Sequence, residues 1–268
     1  MGCTLVIDTS YGSTVGIVGH EPIVETDSRT HVERLRNNIA LAVERSGNTP
    51  QDIDTVIVGT GPAPFTGLRA GIVTAKAFAF ATGAKLIGRN VLEPQARWNL
   101  IRRGGAGASD DTRTRRTLTL AVNDARRRQL YFELCEAPAV DGEHDGTAVR
   151  PIIDMDIDYP ASIVERVNDA VRAWRERNGD DAVVDVIGHG ADRYADTLSA
   201  IEHVGDIVDE SVLDGGEQGL AVFAHDALLA YERDPETPVE PLYLRRPDAQ
   251  IPAPLKHVLN HAGAERTA

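Results

Sequence analysis

At 268 residues and 42% apolar composition, the chain is long enough for one large globular domain or two ordinary ones. Its formal charge of −13 argues against a protein that holds RNA on a broad basic surface, since phosphate contacts dominate nucleic-acid affinity; it permits docking to a basic partner, or merely keeps the protein soluble. Two cysteines, Cys3 and Cys135, without CxxC spacing exclude a disulfide framework and point to a reducing compartment. No run reaches the roughly 18 apolar residues of a membrane span, so the chain reads as cytoplasmic and not membrane-bound.

Leu5-Val6-Ile7-Asp8 reads as a buried strand, Tyr11-Gly12-Ser13 as a turn, and Val15 to Val18 as a returning strand, which makes a hairpin. Thr30 and Glu33 have the spacing of a capping box before a helix that carries Val32, Leu35, Ile39 and Val43 and ends at Ser46-Gly47-Asn48. Asp54 to Val58 is the next strand. It runs into the Gly-rich stretch Gly59-Thr60-Gly61-Pro62-Ala63-Pro64-Phe65-Thr66-Gly67-Leu68-Arg69-Ala70-Gly71. A helix from Thr66 to Thr82 stopped by Gly83, a short strand at Leu86 to Gly88 and a helix from Val91 to Arg102 complete the first half.

Residues 104–116 are rich in Gly, Ala, Ser, Asp and Arg and read as a loop or insertion. The pattern then restarts: a strand at Leu118 to Val122, a turn at Asp124 to Arg128, and a returning strand at Leu130 to Cys135. A polar segment to about Asp158 separates these from a helix over Ser162 to Arg177 and a strand over Val183 to Ile187, which ends in Gly188-His189-Gly190. A late helix spans Ala221 to Tyr231. Both halves share the order hairpin, helix, strand, Gly-x-Gly. The expectation is an α/β protein of two related subdomains, 1–103 and 117–247, with a tail at 248–268.

Asp8 and Thr9 end the first strand beside a tight turn, where an acid can meet a hydrated cation or phosphate-bound metal; equally, both can satisfy the turn backbone. Asp124 holds the corresponding place in the second half and could complete a pair across a cleft. These three are the cofactor-site candidates. His31 opens a helix, but the residue one turn on is Leu35, so no His pair forms a helical metal site, and no metal ligand is assigned. Ser10, Ser13 and Thr66 lack both a G-x-S-x-G elbow and a placed His, so no catalytic residue is assigned. Gly188-His189-Gly190 is either a phosphate cradle or a plain turn, and Arg126-Arg127-Arg128 an exposed hairpin tip or a contact for tRNA or protein.

The 66–82 helix has apolar residues around most of its circumference and only Arg69, Thr74, Lys76 and Thr82 to offer water. It is either central to its own domain or shared with another chain. Val73, Ala77 and Phe80 lie at i, i+4 and i+7 and so share a stripe. Leu35, Ile39, Arg69, Val73, Lys76, Ala77 and Phe80 are the candidate partner interface.

The Gly59 to Lys76 block closely resembles the GPGSFTGLRIG signature of the TsaB family, and His31-Val32-Glu33-Arg34-Leu35 is similar to that family's HSERL. Val6 to Ser10, Asn123-Asp124-Ala125-Arg126-Arg127 and Pro241 to Arg246 follow in the family's order, so the resemblance spans nearly the whole chain. Ala63 and Pro64 depart from the family's Gly and Ser. The resemblance implies two actin-like (ASKHA, ribonuclease H-like) subdomains. It implies a non-catalytic scaffold that pairs with TsaD through the first two helices and works with the ATPase TsaE. That assembly transfers threonylcarbamoyl to adenosine 37 of tRNAs reading ANN codons. It also implies self-pairing when TsaD is absent, indirect contact with tRNA, and ATP or ADP only within the complex. A small kinase-like enzyme on the same fold is the alternative. A zinc-dependent peptidase, a label the superfamily has also carried, is opposed by the His31/Leu35 spacing.

Overall fold

The structure, a computed structural model, describes residues 2–27, 30–104, 116–136, 149–179 and 181–245. The expected insertion at 104–116, save for its end residues, and the tail at 248–268 lie outside them. Two five-stranded sheets carry the chain. The first is ordered β3(Ile23–Glu25), β2(Ser13–Ile17), β1(Cys3–Asp8), β4(Ile53–Gly59), β5(Lys85–Arg89). The second is ordered β8(Arg150–Asp158), β7(Leu130–Glu136), β6(Arg116–Asp124), β9(Ala182–Ile187), β10(Val204–Val208). In each, the first three strands form an antiparallel meander and the last two run parallel to the central one. β1 and β6 therefore occupy equivalent places, and the fold is two actin-like α/β subdomains of one topology.

The helices are α1(His31–Arg45), α2(Phe65–Thr82), α3(Glu93–Gly104), α4(Pro160–Asn178), α5(Ala195–Leu198) and α6(Gly216–Arg233). Leu35, Ile39 and Val43 of α1 and Leu68, Ile72, Ala75 and Ala79 of α2 cover one face of the first sheet, against Leu5, Ile7, Val15 and Val56. In the second half α4 plays this part, with Ile163, Val167, Val171 and Trp174 set on Leu120, Phe132 and Val184. The last helix of each half is exchanged. Asn99 and Leu92 of the α3 region lie against the second sheet, while Leu220 and Phe223 of α6 pack on Val6, Ile57 and Ile87 of the first. The exchange ties the two sheets together, although the sequence boundary at 103/117 separates their strands.

Several local expectations need correcting. Thr30 does sit at the α1 N-cap, but its backbone is αR and its hydroxyl makes no cap, so the predicted capping box does not form. The segment read as polar up to Asp158 contains β8, whose acids Asp154, Asp156 and Asp158 alternate with Ile153, Met155 and Ile157. That is the period-2 signature of a strand with one wet face. The edge strands β3 and β10 were not anticipated either. Gly83 does stop α2, as its left-handed φ of 77° requires.

Candidate functional site

The two central strands end side by side, and each ends in an aspartate. Asp8 is buried; the Ser10 backbone N–H and hydroxyl donate to its carboxylate at 3.0 and 2.8 Å. Burial raises its pKa, and the Ser10 bonds oppose the rise. Thr9 donates its hydroxyl to the Gly67 carbonyl at 2.9 Å and so fastens α2 to the strand end. Thus Asp8 accepts from its own turn backbone, whereas the Thr9 hydroxyl reaches across to α2. Asp124 makes the same turn, accepting from the Arg126 N–H at 2.8 Å. Its free oxygen lies between Arg126 and Arg193, at 3.7 and 3.6 Å, rather than in the cleft beside Asp8, so the two acids do not form a facing pair.

What closes the cleft was not foreseen. Tyr11 from the first hairpin stacks on His189 from the β9 loop, with centroids 3.7 Å apart and planes within 14°. His189 pairs with Asp214 at 3.0 Å. Burial works against the Asp214 carboxylate, yet the His189 and Ser211 bonds hold its pKa below the usual range. The space left among Asp8, Ser10, Gln95, Asn123 and Asp214 is about 20 Å³, one water-sized sphere. That space is far too small for a nucleotide. The neighbouring Gly-x-Gly is no free cradle: Asp209 accepts from the Gly190 N–H at 2.7 Å and from Asp192 at 3.3 Å. Among the described residues, no three His, Cys, Asp or Glu side chains assemble a metal set.

The glycines of the 59–71 stretch serve close packing. A Cβ at Gly59 would sit 1.9 Å from an Asp8 oxygen, and one at Gly71 2.2 Å from the Thr9 hydroxyl. Asn123 donates to the Pro62 carbonyl at 3.1 Å, which ties this turn to the second half. The stretch thus lays α2 against the sheet with its opposite face outside. On that face Arg69, Val73, Lys76, Ala77 and Phe80 are all exposed, Phe80 to 92%. The candidate interface residues Leu35 and Ile39 are not on it. They are buried beneath α1, because the apolar stripe of α1 faces β2 and α2; its outer side offers Arg36, Asn37, Ala40 and Leu41 instead.

At its N-terminal end the apolar face of α2 continues onto the last described segment. Phe65 stacks on Tyr243 with centroids 4.9 Å apart, and the Arg69 guanidinium lies 4.9 Å from the Phe65 ring. Lys76 bonds Glu240 at 3.0 Å. Away from this face, Asp226 accepts from Arg89 at 2.6 Å and Arg97 at 3.1 Å, pinning α6 to the start of α3. Nearby Glu133 has one oxygen with no hydrogen-bond partner among the described residues, and burial, reinforced by Glu93, pushes its pKa up to about 8. Its strand pattern gave no warning of a buried acid.

Comparison with known proteins follows the same lines. A family model described as TsaD, tRNA N6-adenosine threonylcarbamoyltransferase, matches residues 19–136. The chain is 33% identical over 193 residues to an uncharacterized protein of Mycobacterium tuberculosis, covering 61% of this chain and 84% of that one. Over 74 residues it is 39% identical to the tRNA N6-adenosine threonylcarbamoyltransferase of Methylorubrum extorquens, covering 28% of this chain and 21% of the enzyme. Among solved structures, YeaZ from Pseudomonas aeruginosa superposes with a TM-score of 0.63 at 21% identity, over 91% of this chain and all of that one. At that identity the likeness concerns the fold.

Proposed function

From the premise that this chain belongs to the YeaZ (TsaB)-like family, we propose that it is a non-catalytic partner subunit of a TsaD-like enzyme in the synthesis of threonylcarbamoyladenosine on tRNA. The observation that carries this reading is the outer face of α2. Val73, Ala77 and Phe80 form an apolar stripe that none of the described residues covers, flanked by Arg69 and Lys76. A monomer rarely leaves so apolar a helix face in water, and alanines along it allow a partner helix to come close. The outer side of α1, with Ala40 and Leu41, extends the surface into one half of a four-helix contact. On this reading the same surface pairs two copies of the chain when the enzyme subunit is absent. ATP or ADP, with TsaE, enters on this reading only at the assembled complex; the small space beside the stacked Tyr11 and His189 supports it.

The test is capture of the TsaD-like subunit from the same cell, followed by calorimetry with Ala77→Asp. On association that substitution buries an unpaired carboxylate, at a cost of about 3–5 kcal/mol, which is roughly 100-fold to several thousand-fold in affinity. A folded variant that binds the subunit as tightly as the parent chain would refute the stripe as the interface.

A further inference from the structure

The β6–β7 hairpin tip breaks a rule that its counterpart keeps. At the β1–β2 turn the chain takes a positive φ of 66° at Gly12. At the β6–β7 turn it does so at three successive arginines, Arg126, Arg127 and Arg128, with φ of 63°, 53° and 62°. The turn closes by Gln129 N–H to the Arg126 carbonyl at 3.0 Å, so Arg127 and Arg128 fill the two central places of a tight hairpin turn, places that favour Asn and Gly. An L-residue with a long side chain is sterically disfavoured there. Three in a row at an exposed tip mark a position where the side chain is needed and backbone ease is given up.

Other cations gather at the tip. Arg193 shares the Asp124 carboxylate with Arg126, and Arg245 donates to Gln129 at 2.6 Å. Five arginines thus belong to this turn or touch it, two of them on the buried Asp124 carboxylate, in a chain whose net charge is −13. Two residues before Arg245 stands Tyr243, about half exposed and stacked on the equally exposed Phe65, whose ring carries Arg69. A fan of guanidinium groups recognises phosphates, and an open aromatic pair beside arginine is a platform for an unpaired base. An acidic peptide would use the arginines but give the aromatic pair no role.

We infer that the 126–128 tip, with Arg193, Arg245 and the Phe65–Tyr243 stack, is a direct contact for the backbone and an unpaired base of RNA. Only the choice of tRNA as that RNA rests on the proposed function. The contact is local, so it is compatible with a surface that is acidic elsewhere.

The test uses the full chain and a fluorescent transcript of a tRNA reading an ANN codon, with affinity followed against salt. The variant Arg126→Asn/Arg127→Gly/Arg128→Asn removes three cations while placing residues that accept a positive φ, so folding is preserved or improved. Losing three phosphate contacts shrinks the affinity change between about 50 and 200 mM salt by roughly 20- to 40-fold. Tyr243→Ala should weaken the looped tRNA at least about fivefold and leave an RNA duplex unaffected. The proposal is overturned if the parent chain does not bind tRNA at about 50 mM salt, if the triple variant keeps the parent salt slope, or if polyglutamate displaces tRNA at equal residue concentration. Calorimetry of the same proteins with the TsaD-like subunit separates the two ideas. Lost subunit binding with unchanged tRNA binding makes the tip a protein contact. Retained tRNA binding by a parent chain that ignores the subunit refutes the proposed function alone.

Discussion

After its second parallel-sheet strand, the first half of the chain runs the 18-residue α2, whereas the second half makes a single 3-10 turn at Asp192–Tyr194 and the four-residue α5. Both segments follow equivalent strands, β4 and β9, and both begin at a Gly-x-Gly. The short version is enough to cap the sheet: Leu198 is buried and Ala191 fills the turn. The long version covers its sheet with Leu68, Ile72, Ala75 and Ala79 and still leaves Val73 and Phe80 outside. A domain of this topology therefore does not need α2 at its full length and apolar girth for its own stability. The surplus is what the proposed function uses.

The strongest way to break the equivalence of the halves is at the Gly-x-Gly turns. Gly188 has a φ of 127°, and a Cβ there would lie 2.0 Å from the Val122 carbonyl oxygen. Gly188→Ala should cost at least about 3 kcal/mol in chemical denaturation. Gly59→Ala, its counterpart, meets the Asp8 side chain rather than backbone, and should cost roughly 1–3 kcal/mol. Equal losses would mean that the two turns are under the same constraint.

A second difference lies inside the sheets. Ile17 faces Leu5 in the first half, and Glu133 faces Ala121 at the same register in the second. With Glu133 raised to about 8, the native state holds a proton that the unfolded chain releases near its ordinary value. The group's contribution is therefore intact below about pH 4.5, declines as pH rises, and is exhausted above about pH 8. Glu133→Gln should flatten that decline and be more stable than the parent at alkaline pH, relative to acid, by on the order of 2–3 kcal/mol. Parallel stability curves would show that Glu133 is ionised throughout.

The hairpin tips give a smaller and opposite pair of effects. Gly12→Ala places a Cβ 2.3 Å from the Glu25 carbonyl at positive φ and should destabilise by about 1–2 kcal/mol. Arg127→Gly should stabilise by about 0.5–1 kcal/mol, because it removes the steric cost of the left-handed residue. If Arg127→Gly destabilises, the arginines hold the turn instead of burdening it. A change no larger belongs to Ala77→Asp in the isolated chain. An exposed helix position should lose no more than about 1 kcal/mol, mostly the poorer helix propensity of Asp, and a loss of about 3 kcal/mol or more would place Ala77 in the domain core.

Much of this architecture could be read from residue patterns. The buried runs at Leu5–Asp8, Val56–Val58, Leu118–Val122 and Val184–Ile187 are parallel-sheet strands, covered on both faces, and so carry an unbroken apolar signal. β8 also carried a signal, in its alternation of Ile153, Met155 and Ile157 with acids, but its overall polarity obscured it. β3 and β10 are short edge strands whose pairing depends on neighbours far along the chain. The periodicity of α2 put Val73, Ala77 and Phe80 on one stripe without saying which way it faces; all three are exposed. The periodicity of α1 could not reveal that Leu35 and Ile39 turn inward, because an apolar stripe does not say what covers it. Nor could any local pattern bring Tyr11 to His189, or send α3 and α6 to each other's sheets. Those contacts join residues 20 to more than 150 positions apart, beyond the reach of any local pattern.

The central claim, that the outer face of α2 is a docking surface for an enzyme subunit, is tested most directly by hydroxyl-radical footprinting with and without the TsaD-like subunit. Phe80 is 92% exposed and Tyr159, in the second half, 52%, so both report in the free chain. The account predicts that oxidation of Phe80 falls at least about fivefold on complex formation while that of Tyr159 stays unchanged, because a fully covered ring loses its access to solvent. Undiminished oxidation of Phe80 in a complex whose formation is verified by size, or protection of Tyr159 in its place, would contradict it.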